Sequence, residues 1–220
     1  MSGIGILLLL TAAAVLPLVV AFILFKAAKS RVTLPWFLTA MASGIISLLA
    51  AALIQSLFPQ PGISGLGEIF FGVFIRVAMV EEAGRLLTLV PLVYTAKRLR
   101  GTDDITFAAA LGLTAGLGFA AAENAFYGMS DINITLLRVF TAAPLHGACG
   151  IRAAAAVSAM KQSPAKGVFL FASAVIIHGA YNLMIVIPAV PSPLAVAVAL
   201  LALLSSLQLL KADAGVSTGP

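Results

Sequence analysis

Seven apolar runs separated by short breaks dominate this sequence, near residues 3–26, 35–57, 67–96, 105–128, 134–159, 167–188 and 193–210. Crossing about 30 Å of hydrocarbon takes about 20 helical residues at roughly 1.5 Å each, and each run is close to that length or longer. Lipid offers backbone polar groups no partner, so only helices or closed barrels cross it, and these runs exceed strand length. The predicted fold is therefore all-α, a polytopic membrane bundle of about seven transmembrane helices. Composition agrees, since a chain with mean hydropathy +1.12 and 10% charged residues cannot cover itself with a water-soluble surface.

The first run has no cation before it and is too long for the apolar region of a secretory signal, so it reads as a membrane helix that Pro17 can kink. Orientation follows from the breaks. Lys26, Lys29 and Arg31 occupy the first, Lys97, Arg98 and Arg100 the third, Lys161 and Lys166 the fifth, and Lys211 the tail. The intervening breaks, "PQPGISG", "GMSDIN" and "PAVPSP", carry no Lys or Arg. The positive-inside rule then places the N-terminus outside and the C-terminus in the cytoplasm. Nine of the 13 cations thereby serve topology and meet anionic headgroups, so the net charge of +5 does not argue for nucleic acid. With no break longer than about ten residues, residues 1–210 read as a single transmembrane domain and 211–220 as a disordered tail. The single Cys149 lies within a span, where it reads as a small packing residue.

The informative residues are the ionisable ones that topology does not need: Arg76, Glu81, Glu82 and Arg85 in the third run, Glu123 in the fourth, Arg138, His146 and Arg152 in the fifth, and His178 in the sixth. Each costs on the order of 3 kcal/mol at a helix centre, so a paired or functional role is the default. Counted from the outer end of each run at roughly 1.5 Å per residue, Glu81 lies about 20 Å deep, His146 about 18 Å, His178 about 15 Å and Glu123 about 8 Å. Helical spacing pairs Glu81 with Arg85 and His178 with Asn182 at i,i+4, and sets Phe119, Glu123 and Tyr127 on one face beside Asn124. A shared polar cavity lets every such group find a partner and keeps all of them from lipid.

Two adjacent carboxylates beside an arginine in a low dielectric do not both ionise freely, which divides them into an acid and a base, as hydrolysis requires. A histidine opposite can help hold and deprotonate water, and a His with an Asn one turn away can donate to a developing oxyanion. The set suits attack of water on a carbonyl, with Glu81 or Glu82 as base. Glu81, Glu123, His146 and His178 also form an N/O ligand set for zinc, although no His-Glu-x-x-His pattern is present, so the cofactor is either none or zinc. Plainer roles stand beside these. The glutamates and Arg85 could be a structural ion pair, the histidines and Asn182 interhelical hydrogen bonds, and Glu123 a partner of Arg76. Arg138 reads as an outer-interface anchor, Arg152 as a residue snorkelling to the cytoplasmic face, and "GLTAG" (112–116) as a site of close helix approach. For the whole chain the alternatives are a non-catalytic membrane scaffold and a proton-coupled transporter, which would carry an inverted repeat that is not apparent here.

The motifs "EEAGR" (81–85), "FAAAEN" (119–124), "RVFTAAPLH" (138–146) and "HGAYN" (178–182), in that order on successive runs, resemble those of the PrsW proteases. These share a superfamily with the CAAX-prenyl endopeptidases, bacteriocin-immunity proteins and the APH subunit of gamma-secretase. The resemblance spans roughly residues 67–188. It implies an intramembrane endopeptidase of glutamic or metallo type in a bacterial or archaeal plasma membrane, making the extracytoplasmic-side cut in a single-span, anti-sigma-factor-like substrate. Carried over by motif, Glu81 and Glu82 are the catalytic glutamates and His146 and His178 assist water or bind metal. Asn182 supports the oxyanion, and Glu123 with Asn124 completes the polar wall. Arg85 stands where that pattern commonly has lysine, and Glu123 stands where the CAAX branch has histidine, which argues against prenyl-protein processing.

Overall fold

A computed structural model describes residues 3–59, 65–101, 104–128, 132–187 and 189–210, and among these every regular element is helical. The expectations for the breaks at 60–64, 102–103 and 129–131, for 188, and for the tail at 211–220 lie outside the described residues. The order is α1 (Gly3–Ala27), α2 (Leu34–Ser56), the short α3 (Leu66–Phe70), a π-helical stretch (Phe71–Met79), α4 (Val80–Arg100), α5 (Ile105–Gly128), α6 (Ile132–Phe140), α7 (Ala142–Met160), α8 (Pro164–Val186) and α9 (Ser192–Leu207). Local chemistry sets several of these ends. Pro35 and Pro164 occupy first-turn positions where a missing N–H is harmless, and Gly101 closes α4 with φ +70°, its N–H donating to the Lys97 carbonyl. Asp104 caps α5, its Oδ1 accepting the Phe107 N–H at 2.9 Å.

Among the described residues five segments are long and apolar enough to cross a membrane: Leu8–Ala27, Leu34–Ser56, Ile105–Tyr127, Pro164–Val186 and Pro193–Leu210. The other two predicted spans, now α4 and α7, are diluted by the polar residues they carry. Their position explains why this is tolerated. Along α7 nearly every side chain from Ala142 to Val157 is buried, and Glu81, Glu82 and Arg85 of α4 are buried as well. A helix, or the face of one, that meets protein rather than lipid has no need to be apolar.

Two features depart from straight spans. Residues 67–96 do not form one α-helix, because Phe71–Met79 winds as a π-helix directly before the glutamate pair. The predicted fifth span breaks at Thr141, separating α6 from α7. Pro144 supplies the reason, since its ring would clash with the carbonyl of Phe140 one turn earlier while remaining acceptable in the first turn of α7.

The centre of the bundle is the contact of α5 with α7, made possible by small residues. A Cβ on Gly112 would lie 2.2 Å from the Gly150 carbonyl oxygen, and one on Gly116 only 2.0 Å from that of His146. The G-x-x-x-G therefore permits backbone approach, as read from the sequence, and one of its glycines sits against the histidine of the candidate site. Gly44 brings α2 equally close to Ala115, and Gly179 of α8 seats the Phe74 ring of the π-helical stretch.

Gly116→Ala should therefore destabilise the protein by about 1–3 kcal/mol or more, because the clash is with backbone and cannot be relieved by a rotamer change. Gly65→Ala, with open space around its Cβ, should leave the thermal midpoint in detergent unchanged. Equal midpoints for both variants would contradict the close α5–α7 contact.

Candidate active site

Every ionisable residue near the middle of the bundle has a partner on another helix. Successive helical residues differ by about 100° in direction, so Glu81 and Glu82 face different neighbours. Glu82, fully buried, forms an ion pair through Oε1 with Nη1 of Arg85, also fully buried, and the same oxygen accepts from His178 Nδ1 at 2.7 Å. Arg85 extends further. Its Nη2 donates to His146 Nδ1 at 3.1 Å, and its guanidinium lies 4.4 Å from the Phe119 ring centre.

These bonds assign the histidine tautomers. An arginine only donates, so His146 accepts at Nδ1 and carries its proton on Nε2, which donates to Glu123 Oε2 at 2.8 Å. Glu82, paired with Arg85, accepts from Nδ1 of His178, so in the neutral imidazole the lone pair is on Nε2. Nε2 lies 3.7 Å from Glu81 Oε2. The two imidazole rings stand perpendicular with centres 5.0 Å apart.

Glu81 is placed differently from Glu82. Its Oε1 accepts from Gln55 Nε2 at 3.2 Å, while its Oε2, like that of Glu82, is buried without a hydrogen-bond partner. Glu81 also lines a cavity of about 410 Å³, whereas Glu82 does not. Glu123, Tyr127, Arg138 and Asn182 share the wall of that cavity, with Arg76 from the π-helical stretch. It lies toward the C-terminal ends of α2, α5 and α8, the end of the bundle opposite the cationic breaks.

Residues 30–207 match the profile of the PrsW family intramembrane metalloproteases. The chain belongs to that family. It is accordingly an integral membrane protein of an intramembrane protease family. No curated protein and no solved structure matches it.

The structure gathers Glu81, Glu82, Arg85, Glu123, His146 and His178 into one network, with Asn182 on the cavity wall and Asn124 bonded at its edge. Two pairings differ from those expected. Arg85 joins Glu82 at i,i+3 rather than Glu81 at i,i+4. Arg76 does not pair with Glu123; its Nη2 donates to the Gln55 carbonyl at 3.0 Å. Glu123 is instead held by Arg138 at 2.5 Å and by His146. Arg138 is thus no interface anchor. Its Nε also donates to Asn124 Oδ1 at 2.9 Å, and its guanidinium covers the Tyr127 ring at 4.2 Å.

Gln55 and Arg138 are the site residues that sequence reasoning missed. Arg138 could have been found, because it heads the "RVFTAAPLH" motif; Gln55 lies outside every motif and had no comparable signal. For a metal, Glu81, His146 and His178 each offer an atom within 4.8 Å of the others'. Glu123, included in the predicted ligand set, is not among this group and is committed to Arg138 and His146.

The two glutamates should separate in stability measurements. Glu82→Gln leaves Arg85 buried without its counter-ion and should lower stability by about 3–5 kcal/mol. Glu81→Gln breaks no ion pair of this kind and should leave the thermal midpoint close to wild type. Similar losses for the two would contradict this division of roles.

Proposed function

We propose that this chain is an intramembrane endopeptidase that hydrolyses a peptide bond of a membrane-anchored protein, with Glu81 as the base that activates water. The observation that carries the reading is that Glu81 lines the cavity of about 410 Å³ with an Oε2 free of hydrogen bonds, while Glu82, whose Oε2 is also without a partner, stands off that cavity and gives its Oε1 to Arg85 and His178. In this reading the chain crosses the bilayer seven times, with its N-terminus outside and its C-terminus in the cytoplasm. The cavity then opens on the extracytoplasmic side, and a single-span, anti-sigma-factor-like substrate is cut there.

The reaction follows from the side chains in place. Water between Glu81 Oε2 and the His178 Nε2 lone pair gives a proton to Glu81 as its oxygen attacks the scissile carbonyl carbon. Asn182 on the cavity wall is the donor for the oxyanion that forms. Glu81 then returns the proton to the departing amine, and the carbon–nitrogen bond breaks. Glu82 acts behind His178, holding its Nδ1 proton and so keeping Nε2 toward Glu81. Arg138 holds Glu123, and Glu123 in turn holds His146.

The donor set also fits a zinc ion. The orphaned Glu81 oxygen and the His178 lone pair face one another, and Glu82 behind His178 is the outer carboxylate common at such sites. His146 would be the third ligand, through a ring nitrogen released from Arg85 or from Glu123. Zinc bound there supplies a more acidic water.

In detergent or liposomes, Glu81→Gln should cleave single-span membrane substrates about 10²–10⁴-fold more slowly than wild type while remaining folded. Cleavage at the wild-type rate by the folded variant would sink the proposal. Metal analysis of the purified protein, with chelation and zinc add-back, separates the two forms of the mechanism. Activity that survives chelation of a metal-free preparation assigns the water to Glu81 alone.

A further inference from the structure

Arg152 of α7 belongs to none of the machinery above. Among the described residues no carboxylate pairs with it, and three serine hydroxyls surround it instead. Its Nε donates to Ser206 Oγ at 3.0 Å, its Nη1 to Ser173 Oγ at 2.9 Å and its Nη2 to Ser205 Oγ at 2.8 Å. The serines come from α8 and α9, so the cluster joins three helices.

These hydroxyls are arranged as acceptors. Ser173 and Ser205 donate their own protons to the carbonyls of Leu170 and Ala202, at 2.7 and 2.9 Å, which turns their lone pairs to the guanidinium. Three of the five guanidinium N–H groups are thereby satisfied, but no negative charge is supplied. A full positive charge in a membrane helix calls for a counter-charge or for water.

The position of the cluster indicates which anion can provide it. Ser206 is fully buried, whereas Ser205 is exposed and Arg152 and Ser173 are half-buried, so the guanidinium is rooted in the protein and open on its Nη2 side. Arg152 lies about 12 Å from the end of α7 at Met160, and Ser205 and Ser206 lie in the last turn of α9, just before Gln208–Leu210. This is the cationic end of the bundle, where exposed Lys161 and Lys166 draw anions to the bilayer surface.

We propose that Arg152, with Ser173, Ser205 and Ser206, binds the phosphodiester headgroup of an anionic membrane lipid in the leaflet on the Lys161 side. The two remaining N–H groups match two phosphate oxygens in the paired geometry that guanidinium favours, and a serine hydroxyl can rotate to donate a third bond. Such a lipid fastens α9 to α7 and α8 at the end of the protein opposite the candidate active site.

Native mass spectrometry of the full chain in detergent, titrated with phosphatidylglycerol, phosphatidylcholine or inorganic phosphate, tests this. Wild type should retain phosphatidylglycerol in preference to phosphatidylcholine, and inorganic phosphate should not displace it. Arg152→Gln should weaken phosphatidylglycerol retention about tenfold, the loss of one charge-assisted contact. Should Arg152→Gln fail to fold, the Ser173→Ala/Ser205→Ala/Ser206→Ala variant keeps the charge, removes the cradle, and should weaken retention about threefold. Wild-type retention by the folded glutamine variant, or by the folded triple variant where only that one folds, would overturn the site. Equal retention of the two lipids would overturn the requirement for an anion. Displacement by inorganic phosphate would assign the site to a free anion instead of a lipid.

Discussion

The fully buried ion pair of Arg85 with Glu82 is the interaction on which the rest of the polar centre depends. A guanidinium inside a membrane bundle must find both a counter-charge and enough acceptors, and Arg85 finds them on separate helices. It takes the charge from Glu82 on its own α4, an imidazole nitrogen from α7 and a ring face from α5. Through Glu82 the network continues to His178 on α8, and through His146 to Glu123 and Arg138. One residue thus sets the tautomers of both histidines, directly for His146 and through Glu82 for His178.

Such a network forms only if helices approach closely enough for short side chains to meet. Glycines and alanines provide this where α5 crosses α7, and Gly116 lies directly under the His146 backbone. The packing and the polar network therefore depend on each other at that point. Small residues bring the polar groups together, and the polar groups explain why α7 and the Glu82–Arg85 face of α4 turn to the interior instead of lipid.

The π-helical stretch before Glu81 adds a further constraint. A wider turn rotates the residues that follow relative to those before it, so the direction in which Glu81 points depends on that stretch as well as on α4. Phe74 seated against Gly179 ties the stretch to α8, next to His178. Arg76 from the same stretch and Glu81 at its end then share the cavity wall.

Much of this was legible in the residues themselves. Apolar runs of membrane length dictate helices, because lipid leaves the backbone no other way to satisfy its hydrogen bonds. The cost of charge in lipid singles out Glu81, Glu82, Arg85, Glu123, His146 and His178 as residues that must converge. Partnership was not legible, because it depends on how helices rotate and cross. Spacing alone allows Glu81 to meet Arg85, yet the rotation of α4 turns Glu82 to it. Arg138 is distant from Glu123 along the chain and reaches it only because α6 packs against α5. The sequence by itself determined the helical class and which polar residues must leave lipid, since both follow from the solvent. Tertiary structure alone decided which glutamate is held by arginine and which faces the cavity, since adjacent residues of the same chemistry differ only in the direction the packed helix gives them.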